Sequence, residues 1–410
     1  MIRGTGRILL VVSSQLREKL RATTRTIWST IGRFIVSVVQ VIPEEQIKEQ
    51  IRAVIGDWSP AADVADITPL TPDASLRRYF RVTFESPPSG APDASTILAM
   101  HFDSVACPEV GSGPKVDSDF AYVELSKYLA SHGVAVPELL HDARTSRIVL
   151  IEDLGDRPLA EPALRSATDK SESLAAEVTN AFLAAIDEIA KIQQLPDDPS
   201  FFAFQRGFNS TLYQTEMSEF LDYLFLKLNP APDEQVVIRN LFETLGNELE
   251  HFPQVLVHRD FHAWNLMLDR HSKLRVIDFQ DALKGTGSYD LVSLLNDRDM
   301  DSVLGGDRYR LIIAAFRRTR TDPGQFAAEY DRVLLQRDLK VAGRFAKLSA
   351  LRGLRQYERW IPGTVRRIGS TLERLTAREG DTPHYGGALD LLQRYLPDVR
   401  AGAERKFRIE

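Results

Sequence analysis

From Leu16 onward, apolar residues recur at helical spacing: Leu20, Ile27, Trp28, Ile31, Phe34, Ile35, Val38, Val39 and Ile42. Between them lie Arg17, Lys19, Arg21, Arg25 and Arg33 against Glu18 alone, so the pattern predicts a basic amphipathic helix. Such a helix suits a membrane surface, or equally a face of its own domain or of a partner subunit. Pro43 opens a second short helix with acids in its first turn, as the helix dipole favours.

From about Ile67 the period changes. SLRRYFRVTFES alternates as a β-strand, SPPSGAPDAS is a turn-rich break, and TILAMHF reads as the next strand of a hairpin-like pair. SDFAYVELSKYLASHG carries an N-cap serine or aspartate, helical spacing and a glycine stop, and RIVLIEDLG is a further strand. Beyond it the pattern is almost wholly helical, interrupted by short strands near residue 255 and helical again from Ser288 to about Leu396. The expected architecture is an α+β, two-lobed fold. Residues 1–55 form a helical extension, 56–153 a small β-rich lobe and 154–410 a larger, mainly helical lobe.

At 410 residues the chain is too long for one small core. Its 43% hydrophobic and 26% charged residues are ordinary for a globular protein, and a net charge of −6 gives no reason to expect nucleic acid as a partner. The single cysteine, Cys107, excludes an intrachain disulfide and a multi-cysteine zinc site, and it accords with a reducing compartment. No stretch reaches the roughly 18 apolar residues of a membrane helix. The apolar run at residues 8–12 is shorter than the roughly 7–15 of a secretion signal. A cytoplasmic location is therefore expected.

The chemistry concentrates in the segment His258-Arg259-Asp260-Phe261-His262-Ala263-Trp264-Asn265, followed by Ile277-Asp278-Phe279. Buried acids so close together are costly unless something neutralises them. Phosphoryl transfer from ATP needs a carboxylate to orient the attacking hydroxyl and accept its proton. It also needs oxygen ligands that hold Mg²⁺ across the phosphates. Asp260 suits the first role and Asn265 and Asp278 the second. A strand at Gln254–Val257 and a hairpin at residues 266–268 and 274–277 would bring them to one edge. His258 reads as a structural residue bonding the loop backbone. Four of the eight histidines (His251, His258, His262 and His271) cluster here, but a loop without other soft ligands argues against zinc.

This segment resembles the catalytic core of the aminoglycoside phosphotransferase and choline kinase group of the protein-kinase-like fold. More closely, the chain resembles the bacterial sugar kinases of cell-wall recycling, which phosphorylate the anomeric hydroxyl of N-acetylmuramate and N-acetylglucosamine. DASLRRYFRV at 73–82, GVAVPELL at 133–140, LIEDLGD at 150–156, DFQDALKGTGSYDLVSLLND at 278–297 and LQRDLKVAGRF at 335–345 carry the likeness, in the family's order. The resemblance implies Mg²⁺ and ATP as cofactors and a small-molecule sugar as acceptor. It places the adenine at a hinge of Glu152, Asp153 and Leu154.

Two departures narrow the reading. TILAMHF lacks the lysine that ordinary kinases aim at the α/β-phosphates, so Arg77, Arg78 or Arg81 is expected to supply that charge. No glycine-rich loop is present, which leaves the Ser75 hydroxyl and backbone N–H groups as the phosphate cover. Gln280 stands where protein kinases have the D-F-G glycine, and no A-P-E segment follows, so a protein substrate is not expected. Asp281 reads as a second Mg²⁺ ligand or a turn cap, and Asp290 as an acid at the start of a helix or, by the resemblance, a buried brace to the catalytic loop. Arg337, Lys340 and Arg344 share one helix face, which reads as solvated or, by the resemblance, as acceptor contact. Glu216 falls where the family lines its pocket with an acid, and Trp264 and Phe279 read as core. The alternatives are another acceptor on the same fold, such as an aminoglycoside or amino-alcohol, and a kinase-like binding protein with little turnover.

Overall fold

A computed structural model of the chain describes residues 42–70, 77–91, 93–102, 110–169, 171–298, 300–320, 324–379 and 383–400. The chain divides into two units, Met1–Ile42 and Pro43–Glu410. The basic helix expected before Ile42 and the expected phosphate-covering Ser75 lie outside the described residues, as does Cys107.

The second unit opens with α1 (Glu44–Trp58), which buries Ile47, Ile51, Val54 and Ile55 on one face. Each such aliphatic side chain is worth roughly 1.5–3 kcal/mol when buried, more than helix propensity supplies. Five antiparallel strands follow: β1 (Asp63–Pro69), β2 (Arg77–Ser86), β3 (Thr96–Phe102), β4 (Leu139–Ala143) and β5 (Ile148–Glu152). They are ordered β1-β2-β3-β5-β4. The centre of this sheet is apolar on both faces, and β3 is buried at five of its seven positions. The sequence reading missed β4, because all five of its residues are half-buried and give no alternation. α2 (Ser118–Ser131) covers the sheet, and its Tyr122 stacks on Phe279 of the large lobe with ring centroids 5.0 Å apart.

After β5 come α3 (Ala160–Thr168), α4 (Glu172–Gln193), α5 (Phe202–Gln205), α6 (Ser210–Phe220) and α7 (Pro232–His251). Four short strands then carry the chemistry: β6 (Gln254–Val257), β7 (Leu266–Leu268), β8 (Leu274–Val276) and β9 (Leu283–Thr286). β6 pairs with β9 and β7 with β8, both antiparallel. The helices α8 (Tyr289–Asn296), α9 (Met300–Thr319), α10 (Phe326–Arg352), α11 (Ile361–Glu379), α12 (Pro383–Tyr395) and α13 (Pro397–Arg400) complete the lobe.

One glycine sets the helix packing beside the site. A Cβ at Gly343 of α10 would overlap the backbone of Glu219 and Phe220 at the end of α6. Without it, α10 and α6 close on each other and bring Arg337 and Lys340 to the same place as Glu216.

Candidate active site

Residues 258–265 leave β6 and return to β7, and their shape is set by one buried acid. Asp290, in the first turn of α8, accepts the backbone N–H groups of His258 (2.7 Å) and Arg259 (3.0 Å). It is fully buried, and burial raises its pKa against the pull of His258 and those amide bonds. Arg259 has φ of 78°, an unfavourable left-handed conformation for a residue with a side chain. The structure holds it there at several points. Besides the Asp290 bond, its carbonyl accepts from Arg337 Nη1 at 3.0 Å and its guanidinium donates to Glu216 Oε1 at 2.7 Å.

His258 fixes the relation between this loop and Asp278. Its Nε2 donates to the carbonyl of Ile277 at 2.9 Å, leaving Nδ1 to accept the Asp260 N–H at 3.3 Å. The Ile277 N–H donates to the Asn265 carbonyl at 3.0 Å. Both polar groups of Ile277, the residue before Asp278, are thus held by the 258–265 loop. Asp260, Asn265 and Asp278 are thereby linked through one hydrogen-bonded set. Asn265 donates through Nδ2 to the Asp260 carbonyl at 3.0 Å, which leaves its amide oxygen as the group available to a cation.

Asp278 is left-handed (φ 66°), and its side chain is 39% exposed. Arg77, the first residue of β2, donates to Asp278 Oδ1 at 2.9 Å and to Gln280 Oε1 at 2.8 Å. Gln280 in turn donates to Asp278 Oδ1 at 3.2 Å. Of the three arginines offered for the missing lysine, Arg77 is the one aimed at the candidate metal ligand. Arg81 reaches the hinge instead, forking onto Asp153 (2.6 and 3.1 Å) and Asp156 (2.9 and 2.8 Å). Arg78 lies half-buried in β2, opposite His101 of β3.

Asp260 stands among cations. Burial opposes its ionisation, but Lys340, Arg337, His262 and Arg259 outweigh that and hold its carboxyl far below the usual range. Glu216 is similarly depressed, to about 2, because Lys340 and Arg259 overcome the cost of burial. Lys340 donates to Glu216 Oε1 (3.0 Å) and Gln336 to Oε2 (3.0 Å), and Arg337 lies 4.9 Å from the Tyr289 ring centre. Glu216, Arg337 and Lys340 therefore come together beside Asp260 and bond chiefly to protein. Arg344 does not join them; it is half-exposed and pairs with Glu219 at 3.0 Å. Asp281 is partly buried, and burial together with Asp260 and Asp278 raises its pKa against the pull of Arg259 and Arg77.

At the hinge, Glu152 bonds Arg275 (3.4 Å) and the Glu138 N–H (3.1 Å), and Leu154 is buried. The side chains of Glu152 and Asp153 are thus committed to protein. Phe279 is core, as expected, and Trp264 is a partly buried residue packed against that core.

An ionised carboxylate that can orient a hydroxyl, next to an amide oxygen and a half-open carboxylate suited to a divalent cation, is the set of groups that phosphoryl transfer needs. The model of the APH phosphotransferase enzyme family matches residues 112–333, and the chain belongs to that family. It is 28% identical to the N-acetylmuramate/N-acetylglucosamine kinase of Neisseria meningitidis serogroup B, covering 80% of this chain and 91% of the relative. It is 26% identical to the enzyme of the same name from Pseudomonas putida, covering 85% and 94%. Among solved structures it resembles the gentamicin complex of APH(2")-IIa (TM-score 0.52, 15% identity, 80% of this chain and 96% of that one). The ADP-bound aminoglycoside phosphotransferase APH(2'')-Ib is equally similar (TM-score 0.52, 15% identity, 80% and 99%). The structural likenesses establish a two-lobed, protein-kinase-like fold.

Proposed function

We propose that this phosphotransferase is a Mg²⁺- and ATP-dependent sugar kinase acting on the anomeric hydroxyl of N-acetylmuramate or N-acetylglucosamine. The observation that carries the reading is the hydrogen-bonded linkage of Asp260, Asn265 and Asp278, with the cations Arg337 and Lys340 beside Asp260 favouring its ionised form. The names of the curated relatives supply the acceptor class. Asp260 accepts a hydrogen bond from the sugar hydroxyl and takes its proton as the oxygen bonds the γ-phosphorus. The bond from that phosphorus to the bridging oxygen breaks, and ADP leaves. Asn265 and Asp278 would hold Mg²⁺, which when bound neutralises charge on the phosphates. Arg77 holds Asp278 in place and adds positive charge where the kinase lysine is missing. We place the adenine edge against the backbone of Asp153 and Leu154.

Glu216 is read as a brace that keeps Arg259 and Lys340 charged beside Asp260, and Arg337 as the support of the Arg259 carbonyl. The test is an ATP-consumption screen over N-acetylmuramate, N-acetylglucosamine, unmodified hexoses and aminoglycosides. Turnover confined to the N-acetylated sugars and abolished by 1-O-methylation supports the proposal. Turnover of aminoglycosides alone contradicts the acceptor, and nucleotide binding without turnover of any acceptor contradicts the enzyme reading.

A further inference from the structure

α8 ends at Asn296, and the chain leaves it through Asp297 and Arg298, whose φ is 49°. This is the left-handed position just past a helix C-cap, where glycine is the unstrained residue. The sequence keeps an arginine there, and its side chain has a defined place. The guanidinium carbon lies 5.4 Å from the ring centre of Trp264 and 5.6 Å from that of Trp360. Trp264 belongs to the short turn Ala263–Asn265, directly before Asn265 and four residues past Asp260. Arg298 therefore stacks on the loop that carries the proposed base. His262 of the same loop feels the charges of both Asp297 and Arg298.

The arginine makes a loose ion pair with Asp297 but no hydrogen bond among the described residues. Its acidic neighbour Asp297 is 3.7 Å from Nε, beyond hydrogen-bond range, and the buried Nε has no hydrogen-bond partner among the described residues. Its side chain keeps 21% of its surface exposed. Contact with two indoles restricts the side chain, so little freedom remains to be lost when a ligand binds. The buried Nε is closed to a ligand, but among the described residues no hydrogen bond uses the rest of the guanidinium. A planar, pre-oriented group of this kind is suited to a carboxylate.

Resting on the sugar-kinase reading, we propose that Arg298 selects the acceptor by binding a carboxylate on the sugar's side arm. N-acetylmuramate carries such a group on its lactyl ether, and N-acetylglucosamine does not. Arg298 thus sets the preference for an acidic over a neutral amino sugar, while Asp260 acts on the hydroxyl of either. Asp297 offsets part of the charge without occupying the donors.

The test compares kcat/KM for N-acetylmuramate and for its neutral lactyl amide, in wild type, Arg298→Gln and Arg298→Gly. The glycine variant relieves the left-handed backbone, and because the readout is a ratio between two acceptors, a general loss of folded or active enzyme cancels from it. The expected result is an acid-over-amide ratio at least tenfold lower in both variants, carried mainly by KM for the acid. A ratio unchanged within twofold in the glycine variant overturns the assignment and leaves the sugar-kinase reading standing. Wild-type protein that phosphorylates neither these compounds nor N-acetylglucosamine overturns that reading and this assignment with it.

Discussion

Arg77 and Asp278 are 201 residues apart in the sequence, and Arg77 donates a 2.9 Å hydrogen bond to the Asp278 carboxylate. The same guanidinium also reaches Gln280, so the first residue of β2 grips the candidate metal ligand from across the lobes. Hydrogen bonds to charged groups are worth about 1.5–3 kcal/mol, which corresponds to about 10–100-fold. Arg77→Met is expected to lower kcat/KM for ATP by about that factor. Arg77→Lys keeps the charge but loses the fork, and should fall between the two. Steady-state kinetics with ATP varied provides the check, and an unaltered Arg77→Met enzyme contradicts the role.

Glu216 governs a second outcome, dependent on pH. Its carboxyl is held at about 2 when folded, against an ordinary value of 4.5. A depressed carboxyl stabilises the fold above its unfolded pKa and loses that contribution as pH falls toward the folded one. Wild-type stability should therefore decline between about pH 5 and pH 2, with Glu216 among the causes. Glu216→Gln leaves Arg259 and Lys340 buried without their counter-charge, at an expected cost of about 3–5 kcal/mol at pH 7. Urea unfolding at pH 7 and pH 4 measures both effects: the variant should be weaker at pH 7 and lose less on acidification.

Gly343 should tolerate no side chain. Gly343→Ala places a methyl group against the backbone of Glu219 and Phe220, and overpacking of this kind costs typically about 1–3 kcal/mol. The variant is expected to melt lower than wild type and to lose activity, because α10 carries Lys340 and Arg337 toward Asp260. A melting temperature equal to wild type contradicts the packing argument.

Much of the architecture and the chemical set was legible in the chain. Asp260, Asn265 and Asp278 lie close together in sequence, so their spacing alone suggested a common site. The pairings that hold them were not legible. Arg77 could not be separated from Arg78 and Arg81, because the difference lies in which distant acid each meets. Glu216 and Lys340 are 124 residues apart, and the bond between them depends on the close approach at Gly343. Arg298 carried no signal as an arginine beside acids; its meaning comes from two tryptophans, one of them more than sixty positions further along the chain. β4 was missed for a different reason, its uniform half-burial.

The central claim is that Asp260 accepts the proton of a sugar hydroxyl during transfer from ATP, and the most direct measurement is kcat for N-acetylmuramate in Asp260→Asn. Removal of a general base typically costs about 10²–10⁴-fold. A fall of that size, with nucleotide affinity within a few-fold of wild type by calorimetry, is the predicted result. An Asp260→Asn enzyme that turns over at the wild-type rate contradicts it.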